Sequence, residues 1–110
     1  MALQKPIIIL GAPRSGTTLL GRLLAHHPDV AYWIEPNHIW RHRHAYRRSD
    51  VFTAEDATPA VKKHIRKQFE IFLRKSGRSR FAEKTPSNCL RVPFIREIFP
   101  DALFVNLVRD

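Results

Sequence analysis

Residues 11–18 read Gly-Ala-Pro-Arg-Ser-Gly-Thr-Thr and hold the densest set of anion-binding features in the chain. Two glycines, a proline, a serine and two threonines make a turn. The apolar run Ile7 to Leu10 precedes it, and Leu19, Leu20, Leu23 and Leu24 follow at helical spacing. A strand, a tight loop and a helix start leave backbone N–H groups unpaired at the positive end of the helix dipole. Such a loop is a seat for phosphate or a related anion. Gly11 and Gly16 have the spacing of a nucleoside-triphosphate loop, Gly-x-x-x-x-Gly-Lys-Ser/Thr. Thr17 stands where that loop needs lysine, however, and the cation comes earlier, at Arg14. An ordinary strand–turn–helix with no ligand has the same outline, so composition alone leaves both readings open.

A second group is His38, His42 and His44, the first two four residues apart. Zinc would need a third ligand in register and an acidic or thiolate partner. Neither is evident, so no metal is expected. The run His38 to Arg48 reads more simply as a solvated basic face, or as the lining of a substrate entrance.

The loop Gly-Ala-Pro-Arg-Ser-Gly-Thr-Thr resembles the 5′-phosphosulfate-binding loop of sulfotransferases that use 3′-phosphoadenosine 5′-phosphosulfate (PAPS). The likeness is to tyrosylprotein sulfotransferases and related bacterial sulfotransferase-family proteins. It implies that Arg14 grips the phosphosulfate, with Gly11, Pro13, Ser15, Gly16, Thr17 and Thr18 forming the rest of the seat. His27-Pro28-Asp29-Val30 is similar to a family segment that leads, five residues after the valine, to the catalytic base. An ungapped count gives Glu35; a surface carboxylate at a strand end is the alternative. Phe81 to Pro86 resembles the family strand that ends in a lysine followed by Asp or Thr and then Pro. Lys84 would thereby reach the bridging oxygen of the phosphosulfate, unless it forms a routine surface ion pair with Glu83. Phe99 to Asp110 resembles the approach to the second cofactor motif, making Arg109 the counterpart of an arginine that binds the 3′-phosphate.

The resemblance implies an α/β, three-layer P-loop-like fold with a central parallel sheet flanked by helices, truncated. Residues 1–110 would be the N-terminal part of a single sulfotransferase domain, whose acceptor half lies beyond Asp110. The implied reaction moves a sulfuryl group from PAPS to a hydroxyl or amine of a small-molecule, saccharide or protein acceptor, with acidic acceptors among the options. Sulfuryl transfer is an in-line displacement governed by positioning and charge stabilisation, as phosphoryl transfer is. The transferred group carries less negative charge, so cationic side chains suffice without a metal. Glu35 would take the acceptor proton, and Arg14 and Lys84 would stabilise charge on the departing 5′-phosphate.

The elements that must position these residues can be read from pattern. Residues 7–10, 81–84 and 102–108 are expected to be parallel strands of one sheet, with another short strand at 31–34. Helices are expected near 17–26, ended before Pro28, and over 59–76. The latter has Thr58 as N-cap and Pro59 in the first turn, a stripe of Val61, Ile65, Phe69, Phe72 and Leu73, and Gly77 as stop. Residues 38–48 are expected to begin a helical insertion, and 50–58 a loop. Residues 87–99 have a helical pattern that Pro93 must break or restart.

The 110 residues suit one domain, with 44% hydrophobic content and a net charge of +9. The charge is concentrated: residues 38–80 hold twelve basic and four acidic side chains, against seven and six elsewhere. Such a field gathers anionic ligands. It also motivates a basic nucleic-acid-binding module as a binding alternative, which steep salt dependence and indifference to adenosine phosphates would reveal. A nucleotide-binding kinase-like protein is the enzyme alternative, disfavoured by Thr17. No apolar stretch reaches membrane-span length, and Met1 to Lys5 run directly into the first strand without room for a cleavable signal. Cys89 is the single cysteine, which excludes an intrachain disulfide. These features lead to the expectation of a cytoplasmic protein; oligomeric state is not legible.

Overall fold

The computed structural model describes residues 5–11 and 22–106. Four short strands, β1 (Ile7–Leu10), β2 (Val30–Ile34), β3 (Arg80–Lys84) and β4 (Leu103–Asn106), form one parallel sheet in the order β2-β3-β1-β4. All three pairings are parallel. The helical elements are α1 (Asn37–Trp40), α2 (Pro59–Ser76) and α3 (Val92–Ile98), with 3₁₀ turns at Ala54–Asp56 and Pro86–Leu90.

The strand order dictates where the connections lie. The β1-to-β2 connection crosses β3 in one direction, whereas β2-to-β3 and β3-to-β4 run the other way. With right-handed crossovers, the first must cover one face and the other two the opposite face. The packing agrees. Ile8, Leu10, Ala31 and Phe81 meet Val61, Ile65, Phe69 and Leu73 of α2, and Phe94, Ile95 and Ile98 of α3, in the main core. Residues 22–25 are helical and lie by Tyr32, Ile34 and Lys84 on the other face.

Helix α2 forms as its sequence dictates. The Thr58 hydroxyl accepts from the Val61 N–H at 3.3 Å, and Pro59 occupies the first turn, where no donor is lost. Gly77 ends the helix in the left-handed region at φ 69°, which costs glycine nothing. The helix buries Val61, Ile65, Phe69 and Leu73. Phe72, at the edge of that stripe, stacks on Trp33 at 4.4 Å instead.

Three expectations need adjustment. The stretch 38–48 is not a helical insertion: one turn, α1, gives way to successive turns through residue 46. Ile39 and Trp40 are buried, but between 41 and 48 only His44 is buried after them, so no apolar stripe continues. Arg41 instead folds its guanidinium back onto the Asp50 carboxylate (2.9 Å) and the carbonyls of His44 and Arg47, which holds turns and not a helix. The segment 87–99 divides, with a 3₁₀ turn to Leu90 and α3 restarting with Pro93 in its first turn. Within the loop 50–58, Thr53 and Asp56 cap a short 3₁₀ turn, the Thr53 N–H donating to Asp56 at 2.8 Å. The expected span 102–108 is strand over 103–106, and the expected helix 17–26 is helical over 22–25. The rest of those two spans lies outside the described residues, except residue 102, which precedes β4, and His26, in the turn after the helical residues.

Candidate active site

In parallel sheets ligands bind outside the carboxyl ends of the strands, where successive connections diverge to opposite faces. Here that crevice lies between β1 and β3. Gly11 leaves β1, Lys84 ends β3, and Glu35 follows β2. Lys84 stands in register with Ile9 on one side and Ile34 on the other. The Glu35 N–H donates to the Lys84 carbonyl at 2.7 Å, extending the β2–β3 ladder by one residue. The chain then reverses: the Asn37 N–H donates to the Glu35 carbonyl at 2.7 Å, and Pro36 leads into α1.

Glu35 makes this reversal in the left-handed region, at φ 51°. That conformation costs a non-glycine residue about 1–3 kcal/mol and is concentrated at functional sites. Its carboxylate Oε1 lies 3.5 Å from Lys84 Nζ. The two side chains differ in access: Glu35 is 51% exposed and Lys84 only 14%. Lys84 lines a cleft of about 250 Å³ together with Arg22, Ala25, Tyr32 and Ile34. Burial, followed by the charges of Glu83 and Glu35, pushes the Tyr32 phenol up, so it is a protonated donor at neutral pH. The other residues singled out in the sequence, Pro13, Arg14, Ser15, Gly16, Thr17, Thr18 and Arg109, lie outside the described residues.

Glu83 corrects one alternative drawn from the sequence. It is not the surface partner of Lys84, because adjacent strand residues point to opposite faces. Glu83 shares the core face with Phe81 and is fully buried. Its Oε2 accepts from Trp40 Nε1 at 3.0 Å and from the Thr85 hydroxyl at 2.8 Å, and its Oε1 accepts from Asn88 Nδ2 at 2.9 Å. Burial raises its pKa to about 7, against those three donors and the nearby Arg91 charge. Arg91 is itself buried: Nη1 donates to Asn37 Oδ1 (2.8 Å) and Asn88 Oδ1 (3.3 Å), Nε donates to the Asp50 carbonyl (2.8 Å), and Nη2 meets the Asp50 carboxylate (3.1 Å). Phe52 lies under the guanidinium at 4.5 Å. Sequence reading missed this cluster. The signal for Glu83 was present in the alternation, since Phe81 fixes the inward face two residues earlier.

The histidines do not converge. His38 meets the edge of Trp33 at 6.3 Å, His42 stacks on His64 at 3.5 Å, and His44 is buried with Nε2 2.9 Å from the Asp56 carbonyl. Among the described residues no three His, Cys, Asp or Glu side chains are grouped to hold a metal ion. No described helix is long and apolar enough to cross a membrane.

This arrangement places an exposed carboxylate and a covered ammonium at adjacent strand ends, beside a cationic cleft. Comparison with known proteins gives the same direction. A family model described as "Sulfotransferase family" matches residues 6–110. The nodulation protein NoeE of Sinorhizobium fredii is 28% identical over 120 residues, covering 93% of this chain and 28% of that protein. A putative protein-tyrosine sulfotransferase of Caenorhabditis briggsae is 31% identical over 116 residues, covering 97% of the chain and 40% of the relative. Protein-tyrosine sulfotransferase A of Caenorhabditis elegans is 30% identical over 117 residues, covering 94% and 30%. The chain thus spans 28–40% of the length of these curated relatives. With the match extending over all but its first five residues, on a parallel α/β sheet, the chain belongs to the sulfotransferase family.

Proposed function

We propose that the chain is the donor-binding first part of a sulfotransferase domain that moves a sulfuryl group from PAPS to a hydroxyl or amine acceptor. One observation carries this reading: Glu35 and Lys84 sit 3.5 Å apart at the carboxyl ends of β2 and β3, next to the end of β1. The residues present fit an anionic donor, since Lys84 and Arg22 both line the cleft on this edge. When bound, PAPS supplies the sulfuryl group and a 5′-phosphate leaving group. Glu35, the exposed member of the pair, accepts the proton of the acceptor hydroxyl. Lys84 and Arg14 hold the phosphosulfate and offset charge as it develops on the leaving oxygen. Arg109 binds the 3′-phosphate, and Gly11 with residues 13 and 15–18 supplies the loop seat. Acceptors of the size and charge of a tyrosine-bearing peptide are favoured over nucleic acid, in line with two of the relatives being named as protein-tyrosine sulfotransferases.

Calorimetry with PAPS, adenosine 3′,5′-bisphosphate and ATP tests the donor. PAPS and the bisphosphate are expected to bind more tightly than ATP. Arg14→Ala should weaken PAPS by about tenfold or more, a charge-assisted contact being worth roughly 1.5–3 kcal/mol. Equal affinity for ATP would favour the kinase-like reading, and steeply salt-dependent RNA binding the nucleic-acid one. In labelled-sulfate transfer by the polypeptide that includes the acceptor half, Glu35→Gln should lower turnover about 10²–10⁴-fold with PAPS affinity unchanged.

A further inference from the structure

We infer that Glu83 is a positioning residue, a buried clamp that fixes the turn carrying Glu35 and the turn following Lys84 in one geometry. This inference rests on the reading of Glu35 and Lys84 given above. The Glu83 carboxylate reaches both turns from behind the sheet. Towards β2 it accepts from Trp40, which closes the single helical turn after Glu35: the Trp40 N–H reaches the Pro36 carbonyl at 3.4 Å, and the Ile39 N–H reaches it at 3.0 Å. Towards β3 it accepts from Thr85, the residue next to Lys84, and from Asn88 in the following 3₁₀ turn. A second path closes the loop, because Asn88 and Asn37 are both held by the Arg91 guanidinium. The two turns that present Glu35 and Lys84 are therefore joined through one carboxylate on the opposite side of the sheet.

A carboxylate is a costly way to fill this position if filling were all it did. Full burial of a charged or half-charged group is unfavourable, and an apolar side chain of similar volume is often neutral or stabilising in its place. What an apolar side chain cannot supply is direction. Three hydrogen bonds at 2.8–3.0 Å fix the Trp40 ring, the Thr85 hydroxyl and the Asn88 amide relative to one another. A misplacement of about 1 Å in such support can cost on the order of 100-fold in an active site. The charged group facing the clamp is Arg91, whose own partner is the Asp50 carboxylate, while Tyr32 of β2 lies on the opposite, cleft face of the sheet.

The test is a double-mutant cycle on PAPS affinity, measured by calorimetry on this chain. Lys84→Ala should weaken PAPS about tenfold or more. Glu83→Gln, which keeps shape but cannot accept from all three donors, should weaken it roughly 2- to 10-fold, the lower part of the range for coupled neighbours. In the double variant the two losses should fail to add, since a displaced Lys84 has less to lose. Thr85→Val should reproduce part of the Glu83→Gln loss, and Thr85→Ser should restore it, which keeps the test sound if Glu83→Gln does not fold. Full PAPS affinity in both Glu83→Gln and Thr85→Val, or strictly additive losses with Lys84→Ala, would overturn the positioning role while leaving the donor site standing. No effect of Lys84→Ala would remove the reading beneath it as well.

Discussion

Glu35 and Glu83 are carboxylates at the ends of neighbouring strands, and the sheet gives them opposite environments. Glu35 follows β2 in a left-handed turn, half exposed, within 3.5 Å of an ammonium. Glu83 lies one residue before Lys84 on β3, sealed against Trp40, Thr85 and Asn88. On the proposed function the first takes the proton of an incoming acceptor, and on the further inference the second holds the turns around it. The difference follows from strand alternation at a single step, from 83 to 84, which sends one side chain into the core and the next to the cleft. The described strands thus keep an accessible carboxylate and a buried one apart within a single sheet.

The comparison breaks most readily on the buried side. Trp40 is fully buried, packs on Phe69 at 5.1 Å and Phe99 at 6.2 Å, and donates to Glu83. Trp40→Ala should cost about 3–5 kcal/mol, the range for large aromatic truncations in cores. Lys84→Ala, on the cleft side, removes one partly covered ion pair and should cost about 1 kcal/mol or less. Urea denaturation of the two variants checks the contrast. A loss below about 1 kcal/mol for Trp40→Ala would mean that the Trp40–Glu83 contact does not organise the core face.

The division between the two faces also explains what the sequence disclosed and what it withheld. Helix α2 was readable throughout because its signals are local: Thr58, Pro59, the apolar stripe and Gly77 act within a turn or two of their own positions. Strands β1, β2 and β4 were readable as short, mainly apolar runs bounded by turn residues and β3 as an extended stretch ahead of Thr85-Pro86, and their parallel direction follows from the helical segments between them. Glu35 and Lys84 were located by motif spacing; their 3.5 Å separation was not, since it depends on the register Ile34 to Lys84 between strands fifty residues apart. The Glu83 cluster was hidden for the same reason. Trp40 comes from α1, whereas Asn88 and Arg91 lie in and just after the 3₁₀ turn Pro86–Leu90, and no local pattern joins the two segments. The stretch 38–48 departs from the expected helix because it lacks a continuous apolar face to hold one down.

Acidity separates the two faces in a second way. Glu83 ionises at about pH 7 in the folded chain against an ordinary value of 4.5. Between those values the unfolded chain releases this proton while the folded chain keeps it, so the folded state binds more protons. Stability from this group is therefore present at low pH, falls as pH rises from about 4.5 to about 7, and is level above that. Glu83→Gln removes the slope. The stability of the wild-type chain relative to Glu83→Gln should decline across that window by on the order of 1–3 kcal/mol, about 1.4 kcal/mol attending each pKa unit. Denaturant midpoints of both proteins at pH 4.5, 6 and 7.5 measure it, and histidines, common to both, cancel in the difference. A flat difference would show that water or a rearranged donor set reaches the carboxylate.

The smallest effect is expected at Glu35, where its sign is the informative part. A residue placed for stability should cost stability when replaced. Glu35 instead holds φ 51°, which disfavours any side chain with a Cβ, and its one ion pair is half open to solvent. Glycine adopts this conformation freely but adds freedom to the unfolded chain, a penalty of roughly 0.5–1 kcal/mol. Relief of about 1–2 kcal/mol from the left-handed region outweighs it. The Glu35–Lys84 pair, open to solvent on its carboxylate side and worth about 0–1 kcal/mol, brings the sum back towards zero. Glu35→Gly should therefore leave the urea midpoint unchanged or raise stability by up to about 1 kcal/mol, in contrast to the large loss at Trp40 one helical turn away. The backbone link from the Glu35 N–H to the Lys84 carbonyl survives the substitution, so the β2–β3 ladder should keep its hydrogen-exchange protection. A loss greater than about 1 kcal/mol would place Glu35 among the groups that hold the fold, and the contrast with Glu83 would no longer stand.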